Sequence, residues 1–227
     1  MSEPSSSNGP SWVGCLIPIT AAAVILGFPT CVVVTGLRMD RAIAAFAEPE
    51  ARFFGRGVPA LGGEEAKALE RKLDDLRTAA REKRRVEVVL DQAELNHLVQ
   101  TQEVLQSLRE STRVLRIGPA GLEVESSQPA KKLGGGLRYL NGVFVFRPVP
   151  SETNAWQLEL VSFTCSTSKQ VPEGFLKLVR NLHFFRFDLN ANGLQEVLGR
   201  VERIDLREGH VAVVTREGDA KEAAARR

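Results

Sequence analysis

Residues 137–146 read LRYLNGVFVF. The last four, Val143, Phe144, Val145 and Phe146, are apolar at both parities of an extended chain. A strand covered on both faces carries such a run, which places this one at the centre of a sheet. Residues 156–165, WQLELVSFTC, suit a long partner strand, and the segment 148–154 joins the two as a hairpin.

Working outward, residues 113–117 and 121–127 read as two more strands. Gly118-Pro119-Ala120-Gly121 turns between them, with Pro at the favoured corner. Leu122-Glu123-Val124-Glu125 alternates, so one face there is wet. VEVVL at 86–90 is a further strand, and 201–206 with 210–215 form a last hairpin around Glu208-Gly209.

Helices fall between these strands. Over 64–84 the apolar residues Leu69, Leu73, Leu76 and Ala80 make a narrow stripe on a charged helix. Asp91 and Glu94 have the spacing of a capping box, and Leu95, Leu98 and Val99 are expected to be the buried face of the helix they open. Pro172 suits the first turn of a helix that reaches 182 and buries Phe175, Leu176, Leu178 and Val179. Asn192-Gly193 opens a short one with Leu194, Val197 and Leu198. The expected fold is α+β: one twisted antiparallel sheet of about five to seven strands with helices packed on it.

A different rule governs residues 14–37, GCLIPITAAAVILGFPTCVVVTGL, which hold no Asp, Glu, Lys, Arg, His, Asn or Gln. At about 1.5 Å per helical residue the run reaches about 36 Å, enough to cross a hydrocarbon core of about 30 Å. One N-terminal transmembrane helix is expected here, with Trp12 at its upstream edge. A buried helix of a soluble domain rarely runs so long without a polar residue. Signal-peptide cleavage at Ala45-Phe46-Ala47 would leave Arg38, Asp40 and Arg41 between site and run, after a leader with no Lys or Arg. Phe28-Pro29-Thr30 before Cys31 does not suit a lipoprotein signal. The expected layout is a disordered tail at 1–13, the span at 14–37, a juxtamembrane linker at 38–63, the α+β domain at 64–216 and a charged tail at 217–227. By this reading a chain beginning near Gly62 is soluble.

Composition narrows the function. With 30 basic and 28 acidic side chains the formal charge is +2, too small for a field that gathers nucleic acid. Arg81-Glu82-Lys83-Arg84-Arg85 has no interleaved aromatic and reads as a cationic helix end. No nucleic-acid partner is expected. Cys15 and Cys31 lie in the span, so Cys165 has no disulfide mate in the domain. His97, His183 and His210 lack metal-ligand spacing, and Gly134-Gly135-Gly136 lacks Walker spacing. Neither a metal nor a cofactor is expected. Phe144, Phe146, Phe163, Phe175, Phe184 and Phe187 are the candidate site, as one apolar cluster that either fills the core or lines a cleft for an apolar ligand. Such a protein is a non-catalytic, membrane-anchored binding or scaffold domain with a protein partner or apolar ligand. The alternative is a membrane-tethered hydrolase using Cys165 or a His, since such pairs meet in space and not in sequence.

Several short segments recur in one order. They are the anchor beginning Gly14-Cys15-Leu16, Val88-Val89-Leu90 before Glu94-Leu95-Asn96, and Arg138-Tyr139-Leu140-Asn141-Gly142. Val171-Pro172-Glu173-Gly174-Phe175 and Val201-Glu202-Arg203-Ile204 before Arg207-Glu208-Gly209 follow. This order resembles a family of uncharacterised bacterial single-pass membrane proteins of Verrucomicrobia-like genomes. The resemblance implies a membrane anchor with the domain outside the cytoplasm, and no known activity. It also implies that the acid-Leu-Asn helix start is a cap with a polar support. Against that orientation, Arg38, Arg41, Arg52 and Arg56 follow the span and no Lys or Arg precedes it.

Overall fold

The computed structural model describes residues 37–218, except 39, 42, 132–135, 152–155, 167–170, 172, 182–186 and 189–194. Residues 1–13 and 219–227 of the expected tails, residues 14–36 of the expected span, Pro172, His183, Phe184, Asn192, Gly193 and Leu194 lie outside the described residues, as do the side chains of Leu178, Val179 and Phe187. No described helix is long and apolar enough to cross a membrane.

The chain enters helically, through described residues 37, 38, 40, 41 and 43–46. Helix α1 (Gly63–Glu82) opens with Glu65 accepting from Gly62 N at 3.1 Å and closes on Lys83 in the left-handed region, φ 56°. Leu69, Leu76, Ala79 and Ala80 form its buried stripe. Strand β1 (Glu87–Asp91) follows, with Val88 and Leu90 buried. Asp91 then caps α2 (Gln92–Thr101): its carboxylate accepts from Glu94 N at 2.8 Å, and Glu94 accepts from Asp91 N at 2.9 Å.

A turn of 3-10 helix (Glu103–Leu108) leads to β2 (Thr112–Gly118), β3 (Gly121–Lys131), β4 (Leu137–Pro150) and β5 (Trp156–Cys165). Then come α3 (Glu173–Asn181), β6 (Phe187–Asp188), α4 (Gln195–Leu198), β7 (Val201–Arg207) and β8 (His210–Thr215). The fold is α+β, but the strands make two antiparallel sheets where one was expected: β2-β3-β4-β5-β6 and β1-β8-β7. Strands β3, β4 and β5 are long and share one continuous ladder, with one register shift between Val145 and Phe146 where β4 meets β5. The short hairpin β7–β8 does not extend that ladder. Instead β1 takes the free side of β8, Leu90 opposite Val211. Gly209 N donating to Ile117 O at 3.0 Å ties the sheets together.

Two apolar clusters result. One lies on the five-stranded sheet, around Leu140, Phe144, Phe146, Leu160, Phe163 and Phe175. The other joins α1 to both sheets, through Leu69, Leu76, Val88, Leu90, Ile117 and Trp156. Gly142 is required in β4, because a Cβ there would stand 2.1 Å from Thr164 O.

Two expectations are corrected. The buried residues of α2 are Glu94 and Asn96, while Leu95, Leu98 and Val99 are half-buried. The helix turns this polar side inward because it closes the edge of β2: Asn96 Nδ2 donates to Val114 O at 3.0 Å, and Asn96 Oδ1 accepts from Val114 N at 2.8 Å. The second correction concerns the linker expected over 38–63. Ile43, Phe46 and Ala47 are buried in the cluster on the large sheet, so the folded unit reaches back to at least residue 43.

Candidate functional site

Phe144, Phe146, Phe163 and Phe175 come together, between 0 % and 5 % exposed. Phe144 stacks on Phe163 with centroids 4.4 Å apart and lies near-parallel to Phe146 at 6.0 Å. Phe46, which the sequence reading left in the linker, meets Phe175 edge-on at 4.6 Å. Alternation along β4 and β5 brings the sheet residues to one face, and Ile43, Phe46 and Ala47 pack over them. The rings of Phe144, Phe146, Phe163 and Phe175 are packed as core residues are, each at most 5 % exposed.

Cys165 belongs to the same cluster. It is 2 % exposed, and its thiol donates to Phe46 O at 3.1 Å. His97 Nδ1 accepts from Leu61 N at 3.3 Å, which holds the residues before α1. Among the described residues no group of three His, Cys, Asp or Glu is placed to hold a metal ion.

Beyond Phe46 the chain pairs with the sheet. Glu48 and Tyr139 exchange two backbone hydrogen bonds of 2.9 Å. The Glu48 carboxylate accepts from Ser166 Oγ, from Asn141 Nδ2 at 3.0 Å and from Arg52 Nε at 3.0 Å. Partial burial pushes this carboxyl up. The hydrogen bonds from Ser166, Asn141 and Arg52, with the Arg52 charge, prevail and hold it below the ordinary glutamate range.

A groove of about 430 Å³ runs along β1. Lys72 and Asp75 of α1, Val86 to Val89, Asp91, Glu94 and His210 line it. Lys72 Nζ bridges its wall, 2.9 Å from Val89 O and 2.6 Å from Glu94 Oε1. Arg207 reaches Glu87 at 2.8 Å from the far strand β7. No family model, curated protein or solved structure matches the chain. Its site is read from its own residues.

The groove mixes one exposed apolar side chain, Val89, with acids on either side. It offers backbone groups, charge and apolar contact, which suit binding. Sequence reasoning singled out the six phenylalanines and missed this groove. The signal was present as Glu87, Val89 and Asp91, an acid-apolar-acid row at strand period.

Proposed function

We propose that the protein is a non-catalytic binding domain held on a membrane by residues 14–37, with its domain outside the cytoplasm. The observation that carries the binding reading is the groove along β1, where an apolar side chain stands exposed between carboxylates. The uncharged run supports the anchor, and the shared order of short segments supports the family and the orientation. Burial of Cys165 under Phe46 weighs against the hydrolase, since a nucleophile needs access to substrate. The docking of residues 43–48 into the core would carry the anchor's position directly to the domain.

The test places a photo-crosslinking amino acid at Val89 and, in a separate chain, at exposed Arg81. Irradiated membranes should give an adduct of defined mass at 89 and none at 81. No adduct at 89, or equal adducts at both, contradicts the reading. Alkaline phosphatase fused after Arg227 should be active if the domain is exported, and an inactive fusion reverses the orientation.

A further inference from the structure

Strand β1 is an edge of the three-stranded sheet. Thr215 N donates to Val86 O at 3.0 Å, which sets the alternation of the ladder. Val88 and Leu90 therefore bond to β8, and Glu87, Val89 and Asp91 turn their N–H and C=O groups outward. Two of those groups are satisfied: Val89 O accepts from Lys72, and Asp91 N–H donates to Glu94. The N–H of Val89 and both groups of Glu87 have no partner among the described residues.

The other sheet treats its own edge differently. Gln92 Nε2 at 3.1 Å and the Asn96 amide close β2 at Val114. The molecule seals one edge with α2 and leaves the other beside a groove. Open edges are templates for an added strand.

We propose that β1 takes an extended basic peptide as an added antiparallel strand. This deepens the binding reading above and rests on it. Val89 would form the hydrogen-bonded pair, exchanging N–H and C=O with one peptide residue. Peptide residues opposite Glu87, Val89 and Asp91 share one face, so the matching pattern is basic, any, apolar, any, basic. Charge favours this partner: Asp75, Glu87, Asp91 and Glu94 line the groove, Lys72 pairs with Glu94 and Arg207 with Glu87, and the two remaining carboxylates leave the edge acidic. A second copy is disfavoured. Antiparallel pairing of two β1 strands about Val89 sets Glu87 opposite Asp91 of the other copy at both ends, and like charges directly opposite destabilise a pair. Lys72 guards the empty edge, and the second lone pair of Val89 O remains for the peptide.

The test uses the full chain in detergent micelles and fluorescence anisotropy. One labelled peptide is acetyl-Thr-Lys-Thr-Val-Thr-Lys-Thr-amide. Its comparator, acetyl-Lys-Thr-Thr-Val-Thr-Thr-Lys-amide, has the same charge and composition with the lysines on the other face. The first should bind about tenfold or more tightly than the second. Val89→Pro removes the outward N–H while Val88 and Leu90 keep the ladder, and should abolish binding with an unchanged melt. Asp75→Lys, on the exposed face of α1, should weaken binding several-fold and flatten its salt dependence. It decides the matter if the proline variant fails to fold. Equal affinity for both peptides, or full binding by Asp75→Lys, overturns the edge assignment and leaves a binding domain standing. Binding by neither peptide also overturns it, while the crosslink at 89 tests the broader reading independently.

Discussion

Asn96 holds Val114 with both halves of its amide, donating to the carbonyl at 3.0 Å and accepting from the N–H at 2.8 Å. A helix side chain thereby stands in for a missing neighbour strand. Both residues are buried, so water cannot replace the pair.

Asn96→Ala should destabilise the domain by about 1–3 kcal/mol, the cost of the buried Val114 N–H left unpaired, since the Val114 carbonyl keeps its bond from Gln92. Asn96→Leu restores volume but no hydrogen bond, and should be no better. Urea denaturation of the three proteins checks this. A stable leucine variant would mean that packing, not pairing, is what the residue supplies.

Glu48 makes stability depend on acid. Its carboxyl titrates below its unfolded value of 4.5, so its contribution is complete above about pH 4.5 and is lost as pH falls through the lowered folded value. Glu48→Gln should cost about 1–2 kcal/mol at pH 7. The gap between the two proteins should close below pH 4.5, measured as melting temperature against pH. A gap that stays constant into acid contradicts the linkage.

Phe144→Ala should cost about 3–5 kcal/mol, because the ring is fully buried and stacked on Phe163. Cys165 lies in the same packing. With Cys15 and Cys31 replaced by Ser, its thiol should react with an aromatic disulfide reagent only at the rate of unfolding. Fast reaction in the native protein would reopen the hydrolase reading.

Much of this fold was legible locally. The alternation in Glu87 to Asp91, the doubly apolar Val143 to Phe146 and the stripe of Leu69, Leu76 and Ala80 each report a local period and a burial. The Asp91–Glu94 capping box is likewise short-range chemistry. What stayed hidden is long-range. Nothing in 210–215 says that its free side meets residues 87–91, and so nothing announced two sheets. Asn96 read only as a polar support beside the helix cap, because its partner Val114 lies on a different element. Phe46 followed an uncharged run and a few arginines, which reads as a membrane exit. Its partner Phe175 is far along the chain. Burial of Phe144, Phe146, Phe163 and Phe175 was legible because it is intrinsic to the ring, whereas the β1 groove needs an edge that only the topology defines.

A chain beginning at residue 62 should therefore fail where one beginning at residue 37 folds. The shorter chain loses Ile43 and Phe46, about 1.5–3 kcal/mol each, together with Glu48 and its hydrogen bonds. Near-ultraviolet circular dichroism should show a sharp melt for the longer chain and a broad or absent one for the shorter. Equal melts would mean that residues 43–48 only rest on the core.

The claim that binds the account together is that this domain is fixed to a membrane by residues 14–37. Carbonate extraction of cells carrying the full chain tests it most directly. The full chain should stay in the membrane pellet, and a chain beginning at residue 37 should appear in the supernatant, folded. Full-length protein released by carbonate would contradict the account.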